Sequence, residues 1–464
     1  MSKVLMQRVT WRVVTLIGFE SVLLLSAVLL GVYLRLGGHA FEDGESHHLV
    51  LKGLLIAAVC QLCMYYGDLY DSRILGDRRE LYVRTLRSLG ATSLVLAVLY
   101  FWLPALIIGR GVFMITATLV VALVVGWRVS FEWFATQVGP RERLLLVGIN
   151  PAAVNLAHEL HERKDLGIEV VGFIDTDPAR AGQPVQNPGV VGVIEDIPDI
   201  VARRSVDRIV VSLSDARGQL PMDILLNMKL RGVTFDHLAS VYEEYTGKIA
   251  VENLRPSWLI FSPGFRKRRS LVALKRAFDI CAATVGLVLA APLMLSVAAI
   301  VRIVSRGPVL YRQQRVGEHG RVFTVYKFRS MRTDAEEKTG PVWARDEDDR
   351  IIPCGHFMRR TRLDELPQLW NVLLGNMSLV GPRPERPEFV GELTRVIPFY
   401  GQRHVVKPGV TGWAQVRYSY GASVEDAMEK LQYDLFYIKN LSIALDLFII
   451  VLTVKTVLLR RGAK

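Results

Sequence analysis

Two adjacent carboxylates, Asp364 and Glu365, stand in the segment TRLDELPQLW directly before a short helical pattern. Arginines crowd their N-terminal side, at positions 359, 360 and 362. Asp364 is a candidate helix N-cap, because Asp is favoured at that position and Pro367 is tolerated in a first turn. Carboxylates, arginines and a helix N-terminus together could hold a phosphate and a metal ion. An ordinary cap among solvated charges accounts for the same residues equally well.

Basic residues that could join this pair come from two neighbouring patterns. The alternating stretch 309–328 predicts a β-hairpin with strands from Val309 to Gln314 and from Val322 to Phe328. It delivers Lys327 and, one residue past the second strand, Arg329. Further on, Pro382 and Pro384 flank Arg383 and restrict its backbone, which suits anion recognition.

Two later motifs carry polar groups of less certain purpose. The glycine-punctuated loop KPGVTGWAQV (407–416) contains Trp413 and Gln415. A base or a sugar could stack on Trp413, and packing in the core explains it equally well. The helical pattern LQYDLFYIKN places Asp434 and Tyr437 on one face.

The composition indicates a multidomain membrane protein. The chain has 464 residues, of which 51% are hydrophobic, and a net charge of +12. The basic excess shows no aromatic interleaving typical of a nucleic-acid groove, and it suits cytoplasmic loops facing anionic lipid. We expect no nucleic-acid partner. The four cysteines form no disulfide framework, and the CxxC of Cys60 and Cys63 lies in an apolar segment without a second pair.

Four apolar segments predict membrane spans at 13–34, 49–66, about 88–108 and about 111–134. Glu20 is the one charge in the first span and has no evident partner. Basic residues flank the start of the first span, the end of the second and the end of the fourth, whereas the loop HAFEDGESHH is acidic. By the positive-inside rule, both ends of a four-helix transmembrane bundle (1–135) face the cytoplasm.

Residues 141–245 alternate strand and helix patterns, which predicts a Rossmann-like α/β domain with a parallel sheet. The first turn has Gly148 but lacks the second and third glycines of a dinucleotide fingerprint. Asp175 ends the second strand, where a ribose-binding acid could lie. A structural or regulatory domain is favoured over dinucleotide binding, and its surface could also form a homodimer.

The apolar segment 277–301 is long enough to be a fifth span, but basic residues stand on both sides of it. Both flanks therefore favour the cytoplasmic side. Pro292 interrupts the helical hydrogen-bond ladder near the middle, which would let the segment enter one leaflet and return. A re-entrant helix (about 272–304) is preferred, with a kinked spanning helix as the alternative.

Five ordered motifs in the C-terminal part resemble the bacterial sugar transferase family, the monotopic phosphoglycosyl transferases. They are KFRSM (327–331), RTRLDELPQLWNVL (360–373), MSLVGPRP (377–384), KPGVTGWAQV (407–416) and YDLFYIKN (433–440). The resemblance covers about residues 270–464 and implies a mixed α/β catalytic domain there, behind a linker at 246–269. The four spans and the Rossmann-like domain resemble the large members of the family.

The resemblance implies transfer of a hexose-1-phosphate from a UDP-hexose to undecaprenyl phosphate at the cytosolic face of the bacterial inner membrane. Exopolysaccharide, capsule or O-antigen assembly would begin with this step. Asp364 would attack the β-phosphorus, UMP would leave, and Glu365 would bind Mg²⁺. We expect phosphate or substrate contacts from Lys327, Arg329, Arg359, Arg383 and Gln415, with Asp434 in a supporting role. The family has a Ser-Pro pair at the helix bend, whereas this chain has Ala291-Pro292.

One other mechanism and one other function stay open. The carboxylate pair of Asp364 and Glu365 (the dyad) could act as a base for direct attack in a ternary complex, without a covalent intermediate. The chain could instead be a membrane scaffold or sensor whose Rossmann-like domain binds a regulatory nucleotide. No motif distinguishes glucose from galactose, which differ in the orientation of one hydroxyl.

Overall fold

The computed structural model describes most of the chain, namely residues 11–37, 46–70, 78–137, 142–162, 167–180, 182, 189–212, 222–230, 232–251, 259–260, 262, 264–335, 350–418, 421 and 423–458. Some sequence features lie outside these residues: most of the acidic loop, Arg73, the charge run at 344–349 and the basic C-terminal end. The chain forms two compact units, which divide between Asp236 and His237.

The first unit opens with four long helices: α1 (Trp11–Leu36), α2 (Ser46–Tyr66), α3 (Arg78–Trp102) and α4 (Arg110–Gln137). Each contains a stretch long and apolar enough to cross a membrane. Helix α1 packs against α2 and α4, and α3 contacts both of these neighbours. The third span, predicted at about 88–108, extends past its helix, which begins at Arg78 and ends at Trp102. The helix ends there because Pro104 disfavours helical backbone at the preceding residue.

Glu20, which the sequence left without a partner, is fully buried against Arg128 of α4. The Arg128 Nε atom lies 2.7 Å from a Glu20 carboxylate oxygen. Arg128 also donates to the carbonyl of Leu69 (2.7 Å), and the Tyr70 hydroxyl donates to Glu20 (2.7 Å). The pair and its hydrogen bonds join α1, α4 and the turn after α2. Arg128 is therefore a buried residue within α4 and not one of the exposed basic residues that flank the end of the fourth span.

A five-stranded sheet follows in the order β3-β2-β1-β4-β5, with parallel pairing of β1 to β2, β1 to β4 and β2 to β3. This confirms the predicted parallel sheet. Its elements are β1 (Glu142–Val147), α5 (Pro151–Glu162), β2 (Ile168–Asp175), β3 (Val190–Val193), α6 (Ile197–Arg204), β4 (Arg208–Val211), α7 (Met222–Leu230) and β5 (Thr234–His237). Buried residues of β1, β2 and β4 form its core, among them Leu145, Ile174 and Ile209.

Asp175 is already engaged within its own turn at the end of β2. One carboxylate oxygen accepts from the backbone N–H of Thr176 (2.6 Å), and the other lies 3.4 Å from Arg180. At the end of β1, Asn150 caps α5 by accepting from the Ala153 N–H (2.8 Å). Asp175 therefore pairs within its own turn, and Asn150 binds one N-terminal amide of α5.

The second unit begins with α8 (Leu238–Thr246), which bonds to the C-terminal region. Glu243 accepts from Lys439 (2.5 Å) and Asn440 (2.9 Å). The other elements are α9 (Arg269–Val304), β6 (Leu310–Val316), β7 (Val322–Phe328), α10 (Gly355–Arg360), α11 (Gln368–Leu374), β8 (Ser378–Val380), α12 (Pro387–Val396), β9 (Gly409–Thr411), α13 (Trp413–Arg417), α14 (Val424–Asn440) and α15 (Ile443–Leu458). Strands β6 and β7 form the predicted antiparallel hairpin.

Helix α9 is one continuous helix that contains Pro292. Its first half packs through Ala283 near Val372, and its second half packs through Val297 and Val301 near Phe328. The other face stays exposed and apolar, with Val288, Leu289, Leu295 and Ile303. By length and composition it is a fifth candidate span.

Candidate functional site

The carboxylate pair lies in a 3₁₀ turn, Leu363–Glu365, that precedes α11. Arg362 starts the turn in the left-handed region (φ 55°), a strained conformation for a residue other than glycine. The expectation that Asp364 is a helix N-cap was wrong: Arg362 caps the turn, and Pro367, which has no N–H to satisfy, precedes α11. Asp364 and Glu365 are each only 8% exposed.

Glu365 is surrounded by cations from three segments. One carboxylate oxygen lies 2.9 Å from the Lys327 Nζ atom and 2.8 Å from Arg383, and the other lies 3.4 Å from Arg362. Burial opposes ionisation, but Arg383, Lys327 and Arg362 together hold the pKa of Glu365 well below its usual range. Glu365 is therefore a carboxylate whose charge is compensated inside the protein.

Asp364 has a different environment although it is the next residue. Within the described residues its carboxylate accepts no hydrogen bond and forms no ion pair. Burial raises the pKa of Asp364 to about 6, and the neighbouring Glu365 charge adds to the increase, while Lys327, Arg359 and Arg383 oppose it. The carboxylate is thus ionised near neutral pH with its lone pairs free.

Lys327 is placed against the pair by a side chain that the sequence did not single out. Asn371 in α11 is fully buried. Its amide oxygen accepts from the Tyr326 N–H (3.1 Å), and its amide nitrogen donates to the Thr324 carbonyl (2.7 Å). These bonds join the helix after the dyad to β7, which carries Lys327.

Helix α9 supports the same region through two further residues that sequence reasoning missed. Arg276 donates to the carbonyls of Val372 (2.6 Å) and Leu373 (2.8 Å) and so caps α11. Asp279, buried in the helix, accepts from the Leu379 N–H (3.1 Å). The only sequence signal for Arg276 and Asp279 is that each is a charged residue in an apolar helix.

Two of the predicted phosphate ligands differ in their surroundings. Arg329 is buried and donates to the carbonyls of Arg306 (2.9 Å) and Ser305 (2.7 Å), beyond the end of α9. Each terminal nitrogen therefore has a carbonyl partner, whereas the Nε atom of Arg329 is buried without a hydrogen-bond partner. The NH1 atom of Arg359 is likewise buried without a partner, and the Arg359 charge acts on Asp364. A buried donor left unpaired is costly unless a ligand completes it.

Gln415 and Asp434 lie on other elements of the unit. Both polar atoms of the Gln415 amide are buried without hydrogen-bond partners. Asp434 is 1% exposed, and its carboxylate lies 2.7 Å from Arg403, another residue that the sequence did not single out. Burial raises the pKa of Asp434 to about 6, while Arg403 opposes the increase. Asp434 does not contact the carboxylate pair.

Trp413 belongs to the core, so of the two roles that the sequence left open the structure supports packing and not stacking on a base or a sugar. It is 1% exposed, its Nε1 atom donates to the Gly247 carbonyl (3.0 Å), and its ring stacks on Phe436 with centroids 6.0 Å apart. No face is left for a base.

Five helices long and apolar enough to cross a membrane, a parallel α/β sheet and a buried carboxylate pair among cations define the class as a membrane-associated α/β protein. A family model for bacterial sugar transferases matches residues 270–460, and one for a CoA-binding domain matches residues 66–220. The chain belongs to the bacterial sugar transferase family.

Three relatives illustrate this membership. A UDP-N-acetylgalactosamine-undecaprenyl-phosphate N-acetylgalactosaminephosphotransferase of Aeromonas hydrophila is 40% identical over 58% of this chain and 63% of its own length. A UDP-glucose:undecaprenyl-phosphate glucose-1-phosphate transferase of Xanthomonas campestris pv. campestris is 35% identical over 69% and 68%. The exopolysaccharide production protein PSS of Rhizobium leguminosarum bv. phaseoli is 43% identical over 41% of this chain and 97% of its length.

Proposed function

We propose that this chain transfers a hexose-1-phosphate from a UDP-sugar to undecaprenyl phosphate and releases UMP. The printed activities of the Aeromonas and Xanthomonas relatives supply the substrate classes. The observation that carries the proposal is the contrast within the dyad: Glu365 is bound by three cations, whereas Asp364 is a buried carboxylate with free lone pairs. Family membership also argues against a scaffold without catalytic activity.

In the first step, a carboxylate oxygen of Asp364 attacks the β-phosphorus of the UDP-sugar. An oxygen–phosphorus bond forms, the bond to the bridging oxygen breaks, and UMP leaves with that electron pair. In the second step, a phosphate oxygen of undecaprenyl phosphate attacks the same phosphorus and restores the Asp364 carboxylate. No proton has to move in either step when both nucleophiles are ionised.

The basic residues around the dyad would stabilise the charge that develops on the diphosphate. Arg359 has an unpaired buried donor to offer, and Lys327 and Arg383, which contact Glu365 here, would turn towards substrate oxygens when the UDP-sugar binds. Arginine suits this role because its planar guanidinium matches phosphate in a bidentate fashion. The buried setting strengthens each of these contacts.

Glu365 is the residue that we propose to hold Mg²⁺. Among the described residues there is no cluster of three or more His, Cys, Asp or Glu side chains. Lys327, Arg362 and Arg383 contact both Glu365 oxygens, so Glu365 would hold Mg²⁺ only with some of these cations displaced towards the substrate. One carboxylate together with substrate phosphates is a usual mode of Mg²⁺ binding. When bound, Mg²⁺ would supply neutralisation of the diphosphate charge.

The protein would act at the cytosolic face of the bacterial inner membrane, with α9 re-entrant rather than spanning. Residues from both halves of α9 contact the same catalytic unit, since Arg276 bonds to α11 and Val301 packs in one cluster with Phe328. Its exposed apolar face would lie in the lipid. A product made there would start exopolysaccharide, capsule or O-antigen assembly.

Trapping of the intermediate tests the two-step reaction. Full-length enzyme in detergent, incubated with UDP-sugar labelled in the sugar, should retain label after denaturation, and Asp364→Asn should retain none and lose at least about 10⁴-fold in turnover. The enzyme should also exchange labelled UMP into UDP-sugar without lipid. Turnover without a trapped adduct or exchange would favour direct attack in a ternary complex. A panel of UDP-sugars would identify the hexose.

A further inference from the structure

The loop that carries Arg383 is held mainly through its carbonyl oxygens. Pro382 and Pro384 have no N–H to donate, so the backbone around Arg383 can be fixed only through acceptors and its own N–H. Each successive carbonyl has a donor: Gly409 N–H for Pro382 (2.9 Å), Arg403 for Arg383 (3.0 Å), Arg315 for Pro384 (3.0 Å) and Val316 N–H for Glu385 (2.9 Å). Two of these four donors are arginine side chains.

Arg403, which donates to the Arg383 carbonyl, is itself held by several polar contacts. It is 4% exposed in the 3₁₀ segment Tyr400–Val405. One terminal nitrogen donates to the Tyr400 hydroxyl (2.6 Å), and the other lies 2.7 Å from the Asp434 carboxylate while donating to the Arg383 carbonyl. A buried guanidinium requires such a counter-charge, because an unpaired buried charge is strongly destabilising.

Asp434 in turn is anchored by the core of the unit. It lies in α14, where the neighbouring residues Leu435, Phe436 and Tyr437 are all buried in the main hydrophobic cluster. A continuous series of contacts therefore runs from the core through Asp434 and Arg403 to the Arg383 backbone. The Arg383 guanidinium completes the series by contacting Glu365 at 2.8 Å.

We infer that Arg403, held by Asp434, is a positioning residue that aims the Arg383 guanidinium at the dyad and at the substrate phosphate. This inference rests on the proposed function. It assigns Asp434 an action through Arg403 instead of a direct contact with substrate. It also explains why a buried ion pair is retained where apolar side chains of similar volume would pack without a charge cost.

The first test measures kcat and KM for UDP-sugar in the full-length enzyme. Arg403→Gln removes the donor to the Arg383 carbonyl, and we expect kcat/KM to fall about 100-fold, as for a small misplacement of a catalytic group. Arg403→Lys should also lose kcat/KM, because a lysine has no planar fork to bind both partners. Its loss should be smaller than that of Arg403→Gln, because it keeps the charge beside Asp434. Glu243→Gln is the matched control: it removes a carboxylate paired with α14 through Lys439, and it should lower the melting temperature without changing kcat/KM.

The decisive test combines Arg403→Gln with Arg383→Gln. If Arg403 acts through Arg383, adding Arg403→Gln to Arg383→Gln causes little further loss of kcat/KM, while the melting temperature falls as it does in wild type. Equal fold-losses in both backgrounds would overturn the inference, as would an unchanged kcat/KM in folded Arg403→Gln and Arg403→Lys. A radiolabelled assay can measure the low kcat/KM that the double variant is expected to have. A wild-type chain that releases no UMP from any UDP-sugar would refute the proposed function itself.

Discussion

At the scale of single residues, the dyad shows that neighbours in sequence can be electrostatic opposites. Glu365 meets Lys327, Arg362 and Arg383, whereas Asp364 accepts no hydrogen bond within the described residues. The residue types alone suggested a carboxylate pair and basic partners. They could not show which carboxylate is compensated, because that depends on where the fold brings Lys327 and Arg383, which are distant in the chain.

Replacing Asp364 should therefore increase stability while abolishing activity. The pKa of Asp364 is raised from 3.8 to about 6, so the folded chain binds this proton more tightly than the unfolded chain. The stabilisation that this bound proton gives to the folded chain is then lost as the pH rises from about 4 to about 6. We expect Asp364→Asn in detergent to be more stable than wild type at pH 8, by about 1 to 3 kcal/mol, and the difference to vanish near pH 4.

Glu365→Gln provides the opposite control. Its three cations hold the pKa of Glu365 well below the usual value, so the charged form stabilises the fold above that value and the contribution is lost on acidification. This variant should be less stable than wild type at pH 8 by thermal unfolding. A lower melting temperature for Asp364→Asn at pH 8 would contradict the assigned environment.

At the scale of elements, local patterns predicted the pieces but not their attachments. Alternation correctly predicted the hairpin of β6 and β7, because side chains on a strand point to opposite faces. The attachment of α11 to β7 by Asn371 and to α9 by Arg276 joins residues far apart in the chain. A single asparagine or arginine in sequence does not reveal such a partner.

Cysteine labelling tests whether both ends of α9 lie on one side of the membrane. In a chain whose four native cysteines are replaced, Ser270→Cys and Arg306→Cys should react with an impermeant maleimide in inside-out vesicles and not in spheroplasts. This result follows because basic residues flank both ends and both halves contact one unit. Glu45→Cys, in the loop predicted to be periplasmic, should give the reverse. Labelling of the two α9 ends from opposite sides would show a spanning helix.

At the scale of the whole molecule, the chain is two compact units that meet in sequence at Asp236 and His237. The motif pattern set the start of the catalytic domain at 270, after a linker. Residues before that point nevertheless bond into the C-terminal unit. Glu243 pairs with Lys439, the Ile249 N–H donates to the Gln432 carbonyl (3.1 Å), and the Gly247 carbonyl accepts from buried Trp413 (3.0 Å).

A fragment of residues 237–464 should consequently be more stable than one of residues 270–464. Removing the first segment exposes the core and leaves the Trp413 N–H and the Lys439 ammonium without these partners. We expect the shorter fragment to melt at least about 5 °C lower in the same detergent, and the longer one to release UMP from UDP-sugar. Equal melting temperatures would show that the segment adds nothing.

The sequence by itself determined the candidate membrane helices, the parallel sheet and the family, and it singled out the adjacent carboxylates Asp364 and Glu365. Each of these depends on local composition, on periodicity or on short ordered motifs. The tertiary structure alone decided the partner of Glu20, the different surroundings of Asp364 and Glu365, the burial of Trp413 and the support of Arg383 by Arg403. These are contacts between residues distant in the chain, whose energies depend on burial and on direction. No single-residue pattern encodes either quantity.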